Sequence, residues 1–424
     1  MNPARKRPFG QNYAFIVAAV IFLALLGAAG LRSSPGVMMP PLQSAFGWDR
    51  ATISLGAAIG IFLYGLAGPF AAGLMQTFGL RRTLVSALVL MSTATGASAL
   101  MSEPWQFIAS WGVVSGIGSG AVAMTMGAVV VNRWFVSNRG LMIGLFSAST
   151  ATGTLIFLPG LAALAAWGGW QAIVVTIAIF MAALIPLVLL LVPESPQSIG
   201  LTPYGAAPGW SQPPATAGNP FANAIRTLVE ASKTRTFWYL FATFFICGFT
   251  TNGLIGTHMI SFCADMGIPE VQAASMLAMM GIFDLVGTTA SGWLTDRVDP
   301  RKLLFAYYAL RGLSLLYLPF SDFSFYSLSF FVVFYGLDWI ATVPPTVRLA
   351  TETFGDRKGP MVFGWIAAGH QLGAASAAFL GGWMRTVQGN YFDAFIIAGA
   401  TGVIAAALAL LIARPGKGVA EVAA

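Results

Sequence analysis

A small set of polar side chains lies inside long apolar stretches of the sequence, where a charged or hydrogen-bonding group is costly unless it has a partner or a task. The set comprises Arg32, Asn252, His258, Asp284, Arg311, Asp338, His370 and Gln371. A guanidinium holds a carboxylate through two parallel hydrogen bonds, and burial of a carboxyl group favours its protonated form. These residue types therefore indicate the binding of a small anion and of protons.

Arg32 is the candidate anion-binding residue, because it carries a permanent, forked positive charge within the first apolar stretch. It lies in the outer third of that stretch, so its long side chain could instead reach the water at the membrane surface. Asn252 and His258 are candidates for orienting the same anion, and their spacing puts them about 9 Å apart along a helix axis. A lone histidine in a helix is also often an ordinary packing residue.

Two carboxylates are candidates for carrying a proton. Asp284 lies in an apolar stretch without a basic residue nearby in the sequence, so desolvation favours its protonated form. Asp338 is expected at a depth that differs from that of Arg311 by roughly one helical turn, within reach of the arginine side chain, and a structural ion pair between them is the first interpretation. A second proton site at Asp338 is the alternative. His370 and Gln371 are further candidates for lining a substrate cavity.

The elements that must position these residues are membrane spans. Hydrophobic residues make up 57% of the 424-residue chain, charged residues make up 9%, and the mean hydropathy is +0.76. Apolar runs of about 20 residues, the length that crosses a bilayer, begin near Tyr13, Ala51, Thr83, Trp105, Gly140, Trp170, Phe237, Val271, Leu303, Phe325, Met361 and Phe392. They predict an all-α integral membrane protein with twelve transmembrane helices in two pseudo-symmetric six-helix bundles.

The predicted domains are the bundles 1–192 and 236–424, joined by a linker over residues 193–235. The linker is rich in Pro, Gly, Ser and Ala, and its segment "NPFANAIRTLVEASK" has the pattern of a short amphipathic helix on the membrane surface.

Pro344 and Pro345 are expected to interrupt the tenth span, since proline removes a helical hydrogen bond.

The basic residues are distributed unevenly between the two sides of the membrane. If the spans alternate in direction, all of the 22 Lys and Arg residues except Arg32, Arg50, Arg311 and Arg385 fall on the side that holds the N-terminus. By the positive-inside rule both termini and the linker are then cytoplasmic, and a bacterial inner membrane is the expected location. The net charge of +7 thus reflects topology, and no nucleic-acid partner is expected.

Two loops repeat one pattern about half the chain apart. "AGLMQTFGLRR" follows the second predicted span, and "GWLTDRVDPRK" follows the eighth. Both resemble the loop motif G-x-L-a-D-r-x-G-r-R of the major facilitator superfamily. The second copy keeps Gly292, Asp296, Arg297 and Arg301.

The first copy of the motif is degraded. It keeps Gly79 and Arg81, whereas Ala72 and Gln76 stand in place of the first glycine and the acid. The resemblance implies that these loops help to clamp one conformational state, and that the clamp in the first half is weak. The alternative is that the loops only connect the spans and set their orientation, without acting as a clamp.

Other stretches narrow the likeness. "GLRSSPGVMMPPL", "NRWFVSNRGLMIG", "PQSIGLTPYG" and "GLDWIATVPPT" resemble bacterial relatives of the monocarboxylate porters and the oxalate/formate exchangers. The resemblance implies a monomeric, cofactor-free secondary transporter that moves a monocarboxylate or 2-hydroxy acid across the lipid bilayer, with proton symport. Anion exchange of the oxalate/formate type, or efflux of a larger amphiphile, is the alternative. Porters of this kind carry an arginine one helical turn after Asp284, where this chain has Thr288.

Two other function classes fit the sequence less well. His258 and His370 do not have the spacing of an HExxH metal pair, and no GxxxxGK[ST] loop is present in the sequence. An intramembrane metal-dependent hydrolase and an ATP-driven pump are therefore disfavoured. A sensor derived from a transporter remains compatible with the sequence.

Overall fold

The computed structural model describes residues 10–122, 124–207 and 219–413. Their secondary structure is helical apart from one isolated bridge, Phe135 to Tyr204. The α-helices are α1 (Tyr13–Phe46), α2 (Arg50–Thr77), α3 (Leu80–Ser98), α4 (Pro104–Phe107), α5 (Ser115–Ala121), α6 (Met124–Trp134), α7 (Arg139–Leu191), α8 (Pro220–Ala231), α9 (Arg235–Gly248), α10 (Gly256–Asp265), α11 (Glu270–Thr295), α12 (Pro300–Tyr317), α13 (Phe325–Asp338), α14 (Val343–Gln388) and α15 (Phe392–Leu411). Two π-helical segments, Ile108–Val114 and Phe249–Ile255, continue α4 into α5 and α9 into α10.

The twelve spans predicted from the sequence are confirmed. In the described part of the chain, nine helical segments are long and apolar enough to cross a membrane by length and composition alone. The other three spans are α3, the first part of α7 and the part of α14 after Gly355. Two helices each hold more than one span: α7 turns at Gly168 and Gly169, and α14 turns at Gly355. Gly169 and Gly355 adopt positive φ angles of 66° and 78°, a conformation that glycine reaches without steric cost.

The spans are numbered in chain order. They are span 1 (α1), span 2 (α2), span 3 (α3), span 4 (α4 to α6), spans 5 and 6 (the two parts of α7), span 7 (α9 and α10), span 8 (α11), span 9 (α12), span 10 (α13 and α14 as far as Gly355), span 11 (the rest of α14) and span 12 (α15). We call the end of the bundle where α2 begins the Arg50 end. The opposite end, where residues 193–234 connect α7 to α9, is called the linker end.

Span 10 is interrupted where the proline pair predicts it. Helix α13 ends at Asp338, and α14 begins at Val343 with prolines in its first turn. The four residues between them form turns, so some of their backbone groups need partners outside the helix. These partners come from spans 8 and 9, as described below.

Glycines bring the helices that flank this break into close contact. A Cβ atom on Gly287 of span 8 would lie 1.8 Å from the carbonyl oxygen of Leu337 in span 10. One on Gly248 of span 7 would lie 1.8 Å from the carbonyl oxygen of His370 in span 11. Only glycine permits backbones to approach this closely. The approach of span 8 to span 10 brings Asp284 to the break.

Candidate functional site

Arg32 lies against the face of an aromatic ring near the middle of the bundle. Its guanidinium carbon is 4.3 Å from the centroid of the Tyr64 ring, and Tyr64 lies midway along α2. Both side chains are partly exposed. A head group at this depth is not at the end of the bundle, where the surface-seeking alternative would put it. Among the described residues no carboxylate pairs with Arg32.

Gln371 packs against Gly65, the residue that follows Tyr64 in span 2. A Cβ atom on Gly65, which follows Tyr64, would lie 2.3 Å from the Cβ atom of Gln371. Span 11 therefore contacts span 2 directly at the level of Tyr64. Gln371 is itself partly exposed.

Asn252 lies in the π-helical part of span 7, beside the same region of span 11. Its neighbour Gly253 is so close to span 11 that a Cβ atom would lie 2.5 Å from the carbonyl oxygen of Ala374. The backbone carbonyl of Asn252 accepts a hydrogen bond from the Thr257 hydroxyl at 3.1 Å, and its side chain is partly exposed. Short π-helical insertions occur frequently at functional sites, because they re-aim side chains.

The two histidines have different surroundings. His258 is fully buried near the Arg50 end, and its ring nitrogens contact the Tyr391 hydroxyl at 3.2 Å and the Ala378 carbonyl oxygen at 2.7 Å. The structure therefore does not bring His258 to Arg32. The ring of His370 packs 4.9 Å from the ring of Phe244, and its Nδ1 is buried without a hydrogen-bond partner among the described residues.

Asp284 is buried against the break in span 10. Its Oδ1 accepts a hydrogen bond from the Thr288 hydroxyl at 2.8 Å and another from the backbone N–H of Ile340 at 2.9 Å. Thr288 thus supplies a neutral donor at the position where the resemblance implies an arginine. The N–H of Ile340 is one of the groups that the interrupted helix leaves without an intrahelical partner.

Arg311 and Asp338 form the ion pair that the sequence predicts. The Nε of Arg311 lies 2.6 Å from Oδ2 of Asp338, and both side chains are buried. The same guanidinium donates to the carbonyl oxygens of Asp338 and Trp339 and approaches the sulfur of Cys247 at 2.8 Å. The positive charge of Arg311 is therefore compensated by Asp338 within the protein, in contrast to that of Arg32.

The first loop motif receives its acid from elsewhere in the chain. Gly79 has a φ angle of 91° and immediately precedes α3. The carboxylate of Glu194, which follows span 6, accepts from the backbone N–H groups of Leu80 at 2.6 Å and Arg81 at 3.1 Å. A negative charge at this position satisfies the free N–H groups of the helix and favours its dipole.

Glu194 was missed by sequence reasoning, which expected a weak clamp because Gln76 replaces the motif acid. It is also near Arg133, whose Nη1 lies 3.9 Å from its carboxylate. Glu194 therefore joins span 6 to spans 3 and 4 at the linker end. The sequence signal for this role is Glu194 itself, an acid at the start of the linker, which is far along the chain from the loop motif.

The second loop motif places its residues at the ends of spans 8 and 9. Arg297 stacks over the Trp293 ring at 4.2 Å, and Asp296 follows the last residue of α11. Asp299 accepts hydrogen bonds from the side chain and the backbone N–H of Arg301. The hydrogen bonds from the Arg301 side chain hold the pKa of Asp299 below its usual value. A Cβ atom on Gly292 would meet nothing within 4 Å, so this glycine is not required for space.

A cleft of about 840 Å³ opens at the Arg50 end. It is lined by the end of span 1, by the connection from span 5 to span 6 and by the connection from span 7 to span 8. Its lining is largely apolar and does not include Arg32, Asn252 or Gln371. The cleft is therefore distinct from the position of Arg32.

The architecture agrees with the comparison to known families. The model of the Major Facilitator Superfamily matches residues 21–347 and 260–423. The chain belongs to the major facilitator superfamily. It is accordingly a multi-pass membrane transporter and not an enzyme.

Individual members of the superfamily are similar over most of the chain. The uncharacterized MFS-type transporter YcxA of Bacillus subtilis is 25% identical over 383 residues, covering 89% of this chain and 90% of that protein. Monocarboxylate transporter 13 of Bos taurus is 25% identical over 398 residues, covering 93% and 88%. The crystal structure of a D-xylose-proton symporter aligns with 96% of this chain and 99% of its own, with a TM-score of 0.74 at 16% identity, which shows a shared fold.

Proposed function

We propose that the protein is a proton-coupled symporter of a small organic anion, a monocarboxylate or 2-hydroxy acid, that works by alternating access. The bundles 1–192 and 236–424 are the two units that rock, and the linker 193–235 connects them. The linker end is cytoplasmic, the membrane is a bacterial inner membrane, and the monomer is the working unit. A similar monocarboxylate transporter supports this substrate class.

The observation that carries the proposal is the charge of Arg32 in the middle of the bundle, which no carboxylate among the described residues pairs with. Arg311, the other arginine in the interior of a span, is neutralised by Asp338. Arg32 instead stacks on Tyr64 and leaves its hydrogen-bonding edge for another acceptor. A carboxylate fits this fork, and the amides of Gln371 and Asn252 are suited to hydrogen-bond a second oxygen or a 2-hydroxyl group.

Symport explains the polar groups better than exchange of two anions does. Exchange of doubly charged substrates needs a second free cation in the cavity, and Arg311 is occupied. Asp284 is a buried carboxylate, and the two donors that bind its Oδ1 are both neutral. It can therefore take up a proton without losing an ion pair. We therefore assign the proton to Asp284, with Asp338 as the second candidate. His258 and His370 remain candidates for substrate contact only in a conformation that differs from this one.

Binding measurements on Arg32 variants test the anion site. Arg32→Gln is expected to lower the affinity for a small carboxylate by about one to two orders of magnitude, the value of a charge-assisted hydrogen-bonded pair. Arg32→Lys is expected to lose less, because the charge remains while the fork is lost. Affinity is measured by isothermal titration calorimetry on purified protein with lactate and related acids.

Arg82→Gln is the matched control, since Arg82 is exposed at the linker end. It is expected to bind like the wild type. An unchanged affinity in Arg32→Gln would contradict the assignment of the anion site.

A further inference from the structure

The two halves of the transporter are joined at the Arg50 end by one shared carboxylate. Asp265, the last residue of α10, accepts from Nη1 and Nη2 of Arg50, each at 2.7 Å. It also accepts from Nε of Arg385 at 2.7 Å and from Nη2 at 3.3 Å. Arg50 begins span 2 in the first half, whereas Asp265 and Arg385 belong to spans 7 and 11 in the second half. The bidentate contact from Arg50 therefore crosses between the halves.

Neighbouring contacts reinforce the junction. The backbone N–H of Ala51 donates to the hydroxyl of Thr386 at 3.1 Å. A Cβ atom on Gly382 would lie 2.1 Å from the Ser54 hydroxyl and 2.7 Å from the Arg50 carbonyl oxygen, so spans 2 and 11 touch backbone to backbone here. The start of span 2 is thus closed against the end of span 11.

His258 supports this junction from within the second half. Its ring contacts the hydroxyl of Tyr391 and the carbonyl oxygen of Ala378, and the Tyr391 hydroxyl in turn accepts from Nη1 of Arg50 at 3.2 Å. Arg50 is also held on its own side by the side chain of Gln43, at 2.9 Å from its Nε. His258 is therefore a positioning residue for Tyr391.

We propose that Arg50, Asp265 and Arg385 form a gate, here called the Asp265 gate, that opens and closes the Arg50 end of the transport path. The side chains of the gate are only partly buried, at 11% exposure for Arg50, 17% for Asp265 and 27% for Arg385. When the halves separate, each charge enters water, so the contact breaks without leaving a buried charge behind. Without the carboxylate, two guanidiniums face each other, and their repulsion favours the open state.

The contacts between the halves at the linker end are of another kind. Phe70 of span 2 meets Trp365 of span 11 at 5.7 Å and stacks on Phe221 of α8 at 6.0 Å between ring centroids. The Lys358–Glu230 pair ties α8 of the linker to span 11 of the second half. An ionic junction at one end and an aromatic one at the other allow substitutions at the Asp265 gate to act on one end alone.

The test measures the distance between the halves at the Arg50 end in the intact transporter, without any substrate. Spin labels on cysteines introduced at Leu100 and Tyr326 report this distance by pulsed electron paramagnetic resonance, because both side chains are strongly exposed, at 87% and 83%, and belong to different halves. The native Cys247 and Cys263 are buried, which limits their labelling. Asp265→Asn and Arg50→Gln are each expected to increase the ratio of long to short distances by about one to two orders of magnitude.

Arg385→Gln separates the contact that crosses between the halves from the contact within the second half. Arg385 binds the same carboxylate from the same half, so its loss is expected to change the ratio much less than Arg50→Gln does. The exchange Arg50→Asp with Asp265→Arg keeps two guanidiniums and one carboxylate and is expected to restore the short distance. Equal distance distributions in wild type, Asp265→Asn and Arg50→Gln, or equal shifts for Arg385→Gln and Arg50→Gln, would overturn the gate.

Discussion

At the scale of single residues, the structure separates two arginines that look alike in the sequence. Arg32 is partly exposed and stacked on Tyr64, whereas Arg311 is fully buried and bound to Asp338, Trp339 and Cys247. The sequence could predict the Arg311–Asp338 pair, because the two residues lie on consecutive spans at depths about one helical turn apart, within reach of an arginine side chain. It could not place His258, because helical periodicity gives the depth of a residue but not the neighbour that its face meets.

The buried pair leads to a prediction about stability. Arg311→Met leaves Asp338 as an uncompensated buried charge, and Asp338→Asn does the same to Arg311. Each is expected to destabilise the protein by about 3–5 kcal/mol. The double variant Arg311→Met with Asp338→Leu is expected to recover most of this loss, because no charge remains unpaired.

Thermal unfolding of the purified protein in detergent measures these effects. Unfolding is followed by the reaction of a thiol-reactive dye with the buried cysteines as they become exposed. Arg297→Gln is the control, because this arginine stacks on Trp293 at the surface, and a change within about 0.5 kcal/mol is expected. A double variant less stable than both single variants would show that the pair itself stabilises the fold.

At the scale of elements, the loops and helix breaks show which side chains hold the helix ends in place. The proline pair predicted the break in span 10, and the structure shows that Asp284, Ser291 and Arg311 satisfy backbone groups there. The replacement of the missing motif acid by Glu194 could not be predicted, because the two positions are joined only by the packing of span 6 against span 3. Local sequence thus indicated where the helices end, and tertiary packing determined which side chains hold those ends.

The two motif glycines give a matched pair of substitutions. Gly79→Ala is expected to destabilise the protein by about 1–3 kcal/mol, because φ is 91° and the new Cβ atom would lie 2.7 Å from the Glu194 carboxylate. Gly292→Ala is expected to be neutral or to stabilise by about 0.5–1 kcal/mol, since this glycine lies in a helix with open space beside it. The melting temperatures of both variants check this, and equal losses would contradict it.

At the scale of the whole molecule, the sequence predicted the architecture almost completely. Apolar runs of membrane length gave the spans, and their starts agree with the helices to within a few residues for most of the chain; the start of span 11, which lies inside α14, is the clearest difference. The N-terminal residues Arg5, Lys6 and Arg7, which the sequence predicts to be cytoplasmic, lie outside the described residues. The proposed anion site was less predictable than the fold, because its candidate residues come from spans 1, 2, 7 and 11, which are distant in the sequence.

The central claim is that the anion moves together with a proton carried by Asp284. The most direct measurement is uptake of a labelled 2-hydroxy acid into vesicles containing the purified protein, driven by an imposed pH difference, in the wild type and in Asp284→Asn. Exchange of labelled for unlabelled substrate at equal pH is measured on the same vesicles, and vesicles without protein correct for passive leakage.

The wild type is expected to accumulate the acid above its external concentration when the inside of the vesicles is more alkaline than the outside. Asp284→Asn is expected to lose this accumulation while it retains exchange, because the amide cannot titrate but the anion site at Arg32 is intact. Accumulation by Asp284→Asn at the wild-type level would contradict the account.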